Sequence, residues 1–283
     1  MLFLENIESI KSNYTKYDKI YFPINHVKLG AISDTFKNKS YHIPVLAPDN
    51  ILYGKVCQWK STYKWGHDVF DKLYAPEYIL GLQDARAYRL LKDIAEESYL
   101  KNICLVCYCD NQTLCHLCIL ANILKNVFNA DFNDTEYGKS LYTELYNQYQ
   151  SAFYLLVAGS RTFNEKEMAF QILDIALKNH IGNCILVSGH AKGADTIAEQ
   201  YAAEKNIPIK IFPADWDLYG KRAGYIRNMQ MHDYISYPYD RKRACICFWD
   251  GNSKGTEQNF KLAKDHHTNI KIVNYLTKNI MTL

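Results

Sequence analysis

Nowhere in this sequence is there an apolar run approaching the roughly 20 residues needed to cross a bilayer. The opening stretch, Met1 to Glu8, has neither a basic leader nor a long apolar core, so no signal peptide and no membrane partner are expected, and a cytoplasmic location is. Strong charge is missing too. The net charge is +3, with the basic excess gathered at Lys221, Arg222 and Arg227 and at Arg241, Lys242 and Arg243. A face this small does not argue for general nucleic-acid binding. The 23 tyrosines are scattered and mark no internal repeat. Nine cysteines, an odd number in strand-like apolar surroundings, fit reduced thiols better than a disulfide framework.

What is present is length enough for two cores: 283 residues allow two domains. In the first half, Lys19–Ile24 and Tyr41–Leu46 read as short strands that Pro23 and Pro44 push toward an edge or an end. Helical spacing runs from Pro76 to Tyr99. A buried strand over Ile103–Cys109 precedes an apolar helix over Leu114–Val127. The polar stretch Asn129–Glu136 reads as a linker, and Leu141–Tyr149 as a Tyr-rich helix. Residues 1–18 read as a short polar helix or an extended lead-in, and residues 53–72 carry too little pattern to assign.

From Phe153 onward the rhythm is clear. Five apolar strands (153–158, 184–187, 207–212, 244–249, 270–274) alternate with helical runs, which predicts a parallel, doubly wound sheet. If the strand order is 3-2-1-4-5, the first and fourth strands meet at the switch point where such sheets bind ligands. Three strand-to-helix turns then stand out: Val157-Ala-Gly-Ser-Arg-Thr-Phe163, Val187-Ser-Gly-His-Ala-Lys-Gly-Ala-Asp195 and Phe248-Trp-Asp-Gly-Asn-Ser-Lys-Gly-Thr256. Each mixes glycine with small polar or basic residues ahead of a helix, a pattern that suits an anion.

These stretches, with Pro213-Ala-Asp-Trp216, Gly220-Lys221 and Ala223-Gly-Tyr-Ile-Arg-Asn228, resemble the SLOG (SMF/DprA-LOG) superfamily and its YspA-like branch over residues 153 to about 275. The resemblance implies a Rossmann-like domain for a nucleotide or nucleotide derivative. Carried over position by position, it implies ligand-facing roles for Gly159, Ser160 and Arg161 in the first turn. The second turn adds Ser188, Gly189, Gly193 and Asp195, and the following helix adds Arg227 and Asn228. The third turn adds Asp250, Gly251, Ser253, Gly255 and Thr256. Read from the residues alone, Arg161 is either the phosphate's cation or a surface arginine at a helix end. Asp195 and Asp250 are either cap and turn formers or partners of ribose hydroxyls. One departure stands out. Members that hydrolyse nucleoside monophosphates resemble Pro-Gly-Gly-x-Gly-Thr-x-x-Glu, whereas here the residue three after Thr256 is Asn259 and the nearest acid is Glu257.

The first half resembles small uncharacterised bacterial and phage domains with a Cys-x-Cys…Cys-His signature, here Cys107-Tyr-Cys109 and Cys115-His116. A Cys107/Cys109/Cys115/His116 metal tetrad is geometrically open: Cys107 and Cys109 share one face of the expected strand, with Cys104 on the other face and Cys118 on the following helix. The expectation adopted assigns no metal and no cofactor. It makes Cys115 a thiolate at a helix start with His116 and Cys109 beside it, against the bland alternative of core cysteines. The expectation as a whole is an α/β protein of two domains, 1–135 and 150–283. It binds a nucleotide or nucleotide-derived phosphate and processes it by N-glycosidic or base-directed chemistry, with a non-catalytic sensor or sequestering protein as the alternative; self-association is left open.

Overall fold

The computed structural model describes residues 1–24, 38–109, 112–133 and 140–283. The chain divides into two compact units, Met1–Asn147 and Gln148–Leu283. The division falls inside the helix Ser140–Ser151. Part of the expected linker, residues 134–136, lies outside the described residues.

The first unit is built on a four-stranded parallel sheet in the order β1 (Leu2–Asn6), β4 (Ile103–Cys107), β2 (Lys19–Phe22), β3 (Ser40–His42). All five residues of β4 are buried, as expected of a central parallel strand covered on both faces. Where the sequence offered little pattern, tertiary pairing supplies it. Leu2–Asn6 forms a strand because β4 accepts it in register, and Asn6 then caps the helix Ile7–Asn13 by accepting from Ser9 N at 2.7 Å. Residues 50–62 form a helix capped by Asp49. A π-helical turn, Phe70–Tyr74, runs directly into the helix Ala75–Gly81.

Several boundaries differ from the expectation, three of them with a clear local cause. The second short strand stops at His42, because Pro44 starts a 3₁₀ turn, Pro44–Leu46. The single helix expected over 76–99 is two, since Asp84 caps a new start at Ala85 by accepting from Arg86 N. Strand β4 ends at Cys107, so Cys109 lies beyond it.

The second unit is built on a six-stranded sheet. Strands β5 (Phe153–Gly159), β6 (Cys184–Ser188), β7 (Ile209–Ile211), β8 (Arg243–Trp249) and β9 (Asn269–Asn274) are parallel and stand in the order 3-2-1-4-5 counted within the unit. The sequence reading lacked β10 (Asn279–Thr282), an exposed strand antiparallel to β9. The helices Lys166–Leu177, Ala194–Lys205, Ala223–Ile235 and Lys254–Asp265 connect the parallel strands. Both units are therefore α/β. No helix among the described residues is long and apolar enough to span a membrane.

Candidate functional site

Strands β5 and β8 are neighbours, and the connections leave them in opposite directions across the sheet. Their C-terminal ends therefore flank a switch point. Just past it the two turns are tied together. Ser160 N donates to Phe248 O at 2.8 Å, and Asp250 N donates to Ser160 Oγ at 3.2 Å. Phe163 anchors the first turn by stacking on Phe248, ring centroids 4.5 Å apart. In the third turn, Asp250 Oδ1 accepts from Asn252 N (2.9 Å) and Ser253 N (2.7 Å). Desolvation pushes the Asp250 carboxyl up, but these backbone donors and Ser160 outweigh it and hold it below its ordinary value. Ser253 caps the helix Lys254–Asp265, its Oγ accepting from Thr256 N at 3.4 Å and from Thr256 Oγ1 at 3.0 Å. The first residues of that helix, Lys254, Gly255 and Thr256, line the cleft beside the switch point.

The second turn is fixed by close approach. Gly193 has φ +86°, and a Cβ there would lie 2.3 Å from Ser160 O. A Cβ on Gly189 would collide with the guanidinium of Arg227. Arg227 donates to Gly189 O and, at 3.2 Å, to Asp195 Oδ2, which also accepts from Ala191 N at 3.2 Å. Arg227 and Asp195 are both buried. Desolvation raises the Asp195 carboxyl to about 6 despite the arginine beside it. Ser188 is fully buried and turned inward, donating to Glu199 Oε1 at 2.7 Å.

Above these turns opens a cleft of about 770 Å³. Of the residues singled out from sequence, Gly159, Arg161, Asp195, Arg227, Asn228, Asp250, Ser253, Gly255 and Thr256 line it. Ser160, Ser188, Gly189, Gly193 and Gly251 do not; the first four build its floor from behind, through the contacts just given. Gly255 differs from Gly193 in its local setting. It sits in the first turn of a helix with open space where a Cβ would be, so no turn geometry requires glycine there.

The cleft also holds residues that the sequence reading gave no ligand role: Trp216, Lys221, Tyr225, Asn252, Lys254 and Gln258. Trp216 and Tyr225 are half-exposed, and the Arg161 guanidinium lies 5.7 Å from the Trp216 ring centre. Tyr225 could have been found from its spacing, since it stands three residues before Asn228 on one helix face. Four cationic side chains line the cleft (Arg161, Lys221, Arg227, Lys254) against two acids, Asp195 and Asp250. Asn259 stands at its base, donating to Gly255 O at 3.0 Å, with Oδ1 3.2 Å from His232 Nε2. Desolvation holds His232 down at about 4, so this ring is neutral at physiological pH and donates to the amide oxygen.

In the first unit, the ligand atoms of Cys107, Cys109, Cys115 and His116 all lie within 4.8 Å of one another. Cys104 points away into a core with Ile10, Ile20 and Phe22. Cys115 caps the helix His116–Asn126, its sulfur 3.5 Å from Leu117 N. The expected early ionisation of Cys115 does not follow from this position. Hydrogen bonding with Cys109 and Cys115 holds the Cys107 thiol well below the usual thiol range. Hydrogen bonding to Cys107, with burial behind it, pushes Cys109 up to about 12 and Cys115 higher still.

By fold and site, the second unit is a parallel α/β sheet with an electropositive switch-point cleft. The model of the YspA, cpYpsA-related SLOG family matches residues 153–219, which bears out the resemblance read from the turns. The model described as the active DUF488-N3 subclade matches residues 31–127, the range that holds the Cys/His cluster. The Gene 61 protein of Mycobacterium phage D29 is 29% identical over 126 residues, covering 43% of this chain and 94% of the phage protein.

Proposed function

We propose that the second unit binds a nucleotide or nucleotide-derived phosphate in the switch-point cleft. The observation that carries this reading is the coincidence, in one cleft, of four cationic side chains with the start of the helix Lys254–Asp265. A phosphate is suited to the helix amides, the Ser253 and Thr256 hydroxyls and the fixed charge of Arg161. Trp216 and Tyr225 offer exposed rings on which a base can stack. The similarity to the SLOG family supports the same ligand class.

Calorimetry against a nucleoside, its monophosphate and ADP-ribose tests it. Affinity is expected to track the phosphate. A charge-assisted hydrogen bond contributes roughly 1.5–3 kcal/mol, so Arg161→Ala should weaken binding roughly 10- to 100-fold. Equal affinity for the unphosphorylated nucleoside would sink the reading.

Binding without cleavage is the reaction class that the residues favour. Asn259 occupies the position of the acid that N-glycosidic hydrolysis uses in relatives, and its amide is engaged on both ends. A second reading, in which the ligand is processed, rests on Asp250, an acid that lines the cleft and is held in its charged form. Incubating the protein with its bound nucleotide separates them. Free base that appears with the native protein and vanishes with Asp250→Asn would favour processing; unchanged ligand after hours favours a sensor or sequestering protein.

A further inference from the structure

We infer that Cys107, Cys109, Cys115 and His116 form a closed, four-ligand site for one thiophilic divalent cation, Zn²⁺, that holds the first unit together.

The spacing of the four ligand atoms comes close to that of a tetrahedral cage. With Zn–S about 2.3 Å and Zn–N about 2.0–2.1 Å, the edges of such a cage are about 3.8 Å between sulfurs and about 3.5 Å between sulfur and nitrogen. Here Cys107 Sγ lies 3.2 Å from Cys109 Sγ and 3.8 Å from His116 Nδ1, and Cys115 Sγ lies 3.7 Å from the same nitrogen. None of the cysteines is in a disulfide, whose sulfurs would stand about 2.0 Å apart.

An independent observation concerns the histidine. His116 Nε2 is 2.9 Å from the carbonyl oxygen of Pro23. A carbonyl only accepts, so Nε2 carries the hydrogen and Nδ1 presents its lone pair to the sulfurs. A ring held by a backbone carbonyl through its far nitrogen is the supporting contact that metal-bound histidines use to fix tautomer and orientation. Without a cation, that lone pair faces sulfurs in a place where Cys107, Cys115 and His116 are all almost wholly buried.

The donor set selects the ion. Three sulfurs and an imidazole suit Zn²⁺, and with no oxygen among them they do not suit Mg²⁺ or Ca²⁺. Four protein ligands leave no open position for water or substrate, which makes the site structural. It would join the end of β4, the start of the helix His116–Asn126 and, through Pro23, the end of β2. It also withdraws Cys109, Cys115 and His116 from the nucleophile-and-base role expected from the sequence. The inference is independent of the nucleotide reading, because the two concern different units.

The test uses the full chain, purified under reducing conditions without chelator. Elemental analysis is expected to find about one Zn²⁺ per chain. Cys57→Ser, at an exposed cysteine outside the cluster, should retain it, and Cys109→Ser and His116→Gln should lose it. Because those two variants can fail to fold, the native protein stripped of metal should also be titrated with Co²⁺. One equivalent should give the visible bands of tetrahedral cobalt and thiolate charge-transfer absorption in the near ultraviolet, both erased by Zn²⁺. Native protein that holds no metal, gives no such Co²⁺ spectrum and melts at the same temperature with and without chelator would overturn the inference. So would Cys109→Ser that retains a full equivalent.

Discussion

At the scale of single residues, the two glycines most alike in sequence behave in opposite ways. Gly193 combines φ +86° with a backbone oxygen 2.3 Å from any added Cβ. Gly193→Ala should therefore cost about 1–3 kcal/mol from backbone conformation alone, with the collision in addition, read as a lowered denaturant midpoint. Gly255 is helical and open, so Gly255→Ala should hold or raise stability by about 0.5–1 kcal/mol. Any loss of nucleotide affinity in that variant would then report occupation of the cleft and nothing else. Both glycines sit in small-residue turns, so the sequence marks them alike. What separates them is the neighbouring chain, which only the fold brings near.

The buried pair Asp195–Arg227 carries a pH signature. The folded protein raises the Asp195 carboxyl to about 6 from an ordinary value of 3.8. Between those values the folded state holds more protons than the unfolded one, so this group's contribution to stability falls as pH rises from about 4 to 6. Native protein compared with Asp195→Asn, by thermal melts across pH 4–7, should show its relative stability declining through that window. A difference that grows with pH would contradict the assignment. Arg227→Ala, which leaves the carboxylate buried without its cation, should destabilise by about 3–5 kcal/mol.

At the scale of elements, periodicity proved readable wherever a strand is buried on both faces. β5, β6 and β8 are apolar runs for that reason, and their ends located the switch point. The elements that escaped notice are those whose pattern comes from a partner. β10 is exposed along its whole length and exists because β9 offers a free edge; β1 is polar at its end and exists because β4 pairs with it. The site followed the same division. Glycines and hydroxyls announced the turns, whereas Trp216 reaches the cleft from the connection after β7, where an exposed aromatic has no period to betray it; Tyr225, on the helix beyond, was legible only through its spacing to Asn228. The cysteine cluster was visible as spacing, but its shape was not. Residues 107 and 109 belong to a strand end and 115 and 116 to a helix start, and how closely these approach depends on the fold between them.

At the scale of the whole molecule, the contact division suggests that the second unit stands alone. We propose that residues 148–283, expressed by themselves, fold cooperatively and keep the nucleotide affinity of the full chain. Circular dichroism with a single sharp melt, and calorimetry within about threefold of the full-length value, are the expected outcomes. An insoluble or molten fragment would show that the division by contacts does not mark an autonomous domain. The cleft gathers cations from four separate segments, so its hold on an anion should weaken as salt is raised, with affinity measured from 50 to 500 mM sodium chloride as the check.

Trp216 brings a last consequence. Its half-exposed indole stands at the cleft with the Arg161 guanidinium near its face, while the other tryptophans, Trp59, Trp65 and Trp249, do not line the cleft. A ligand that draws Arg161 onto a phosphate, or lays a base over the ring, changes what that one indole sees. The protein thus carries its own fluorophore at the mouth of the cleft. Filling the cleft should register as quenching or a shift of emission, and Trp216→Phe should silence the signal without emptying the site.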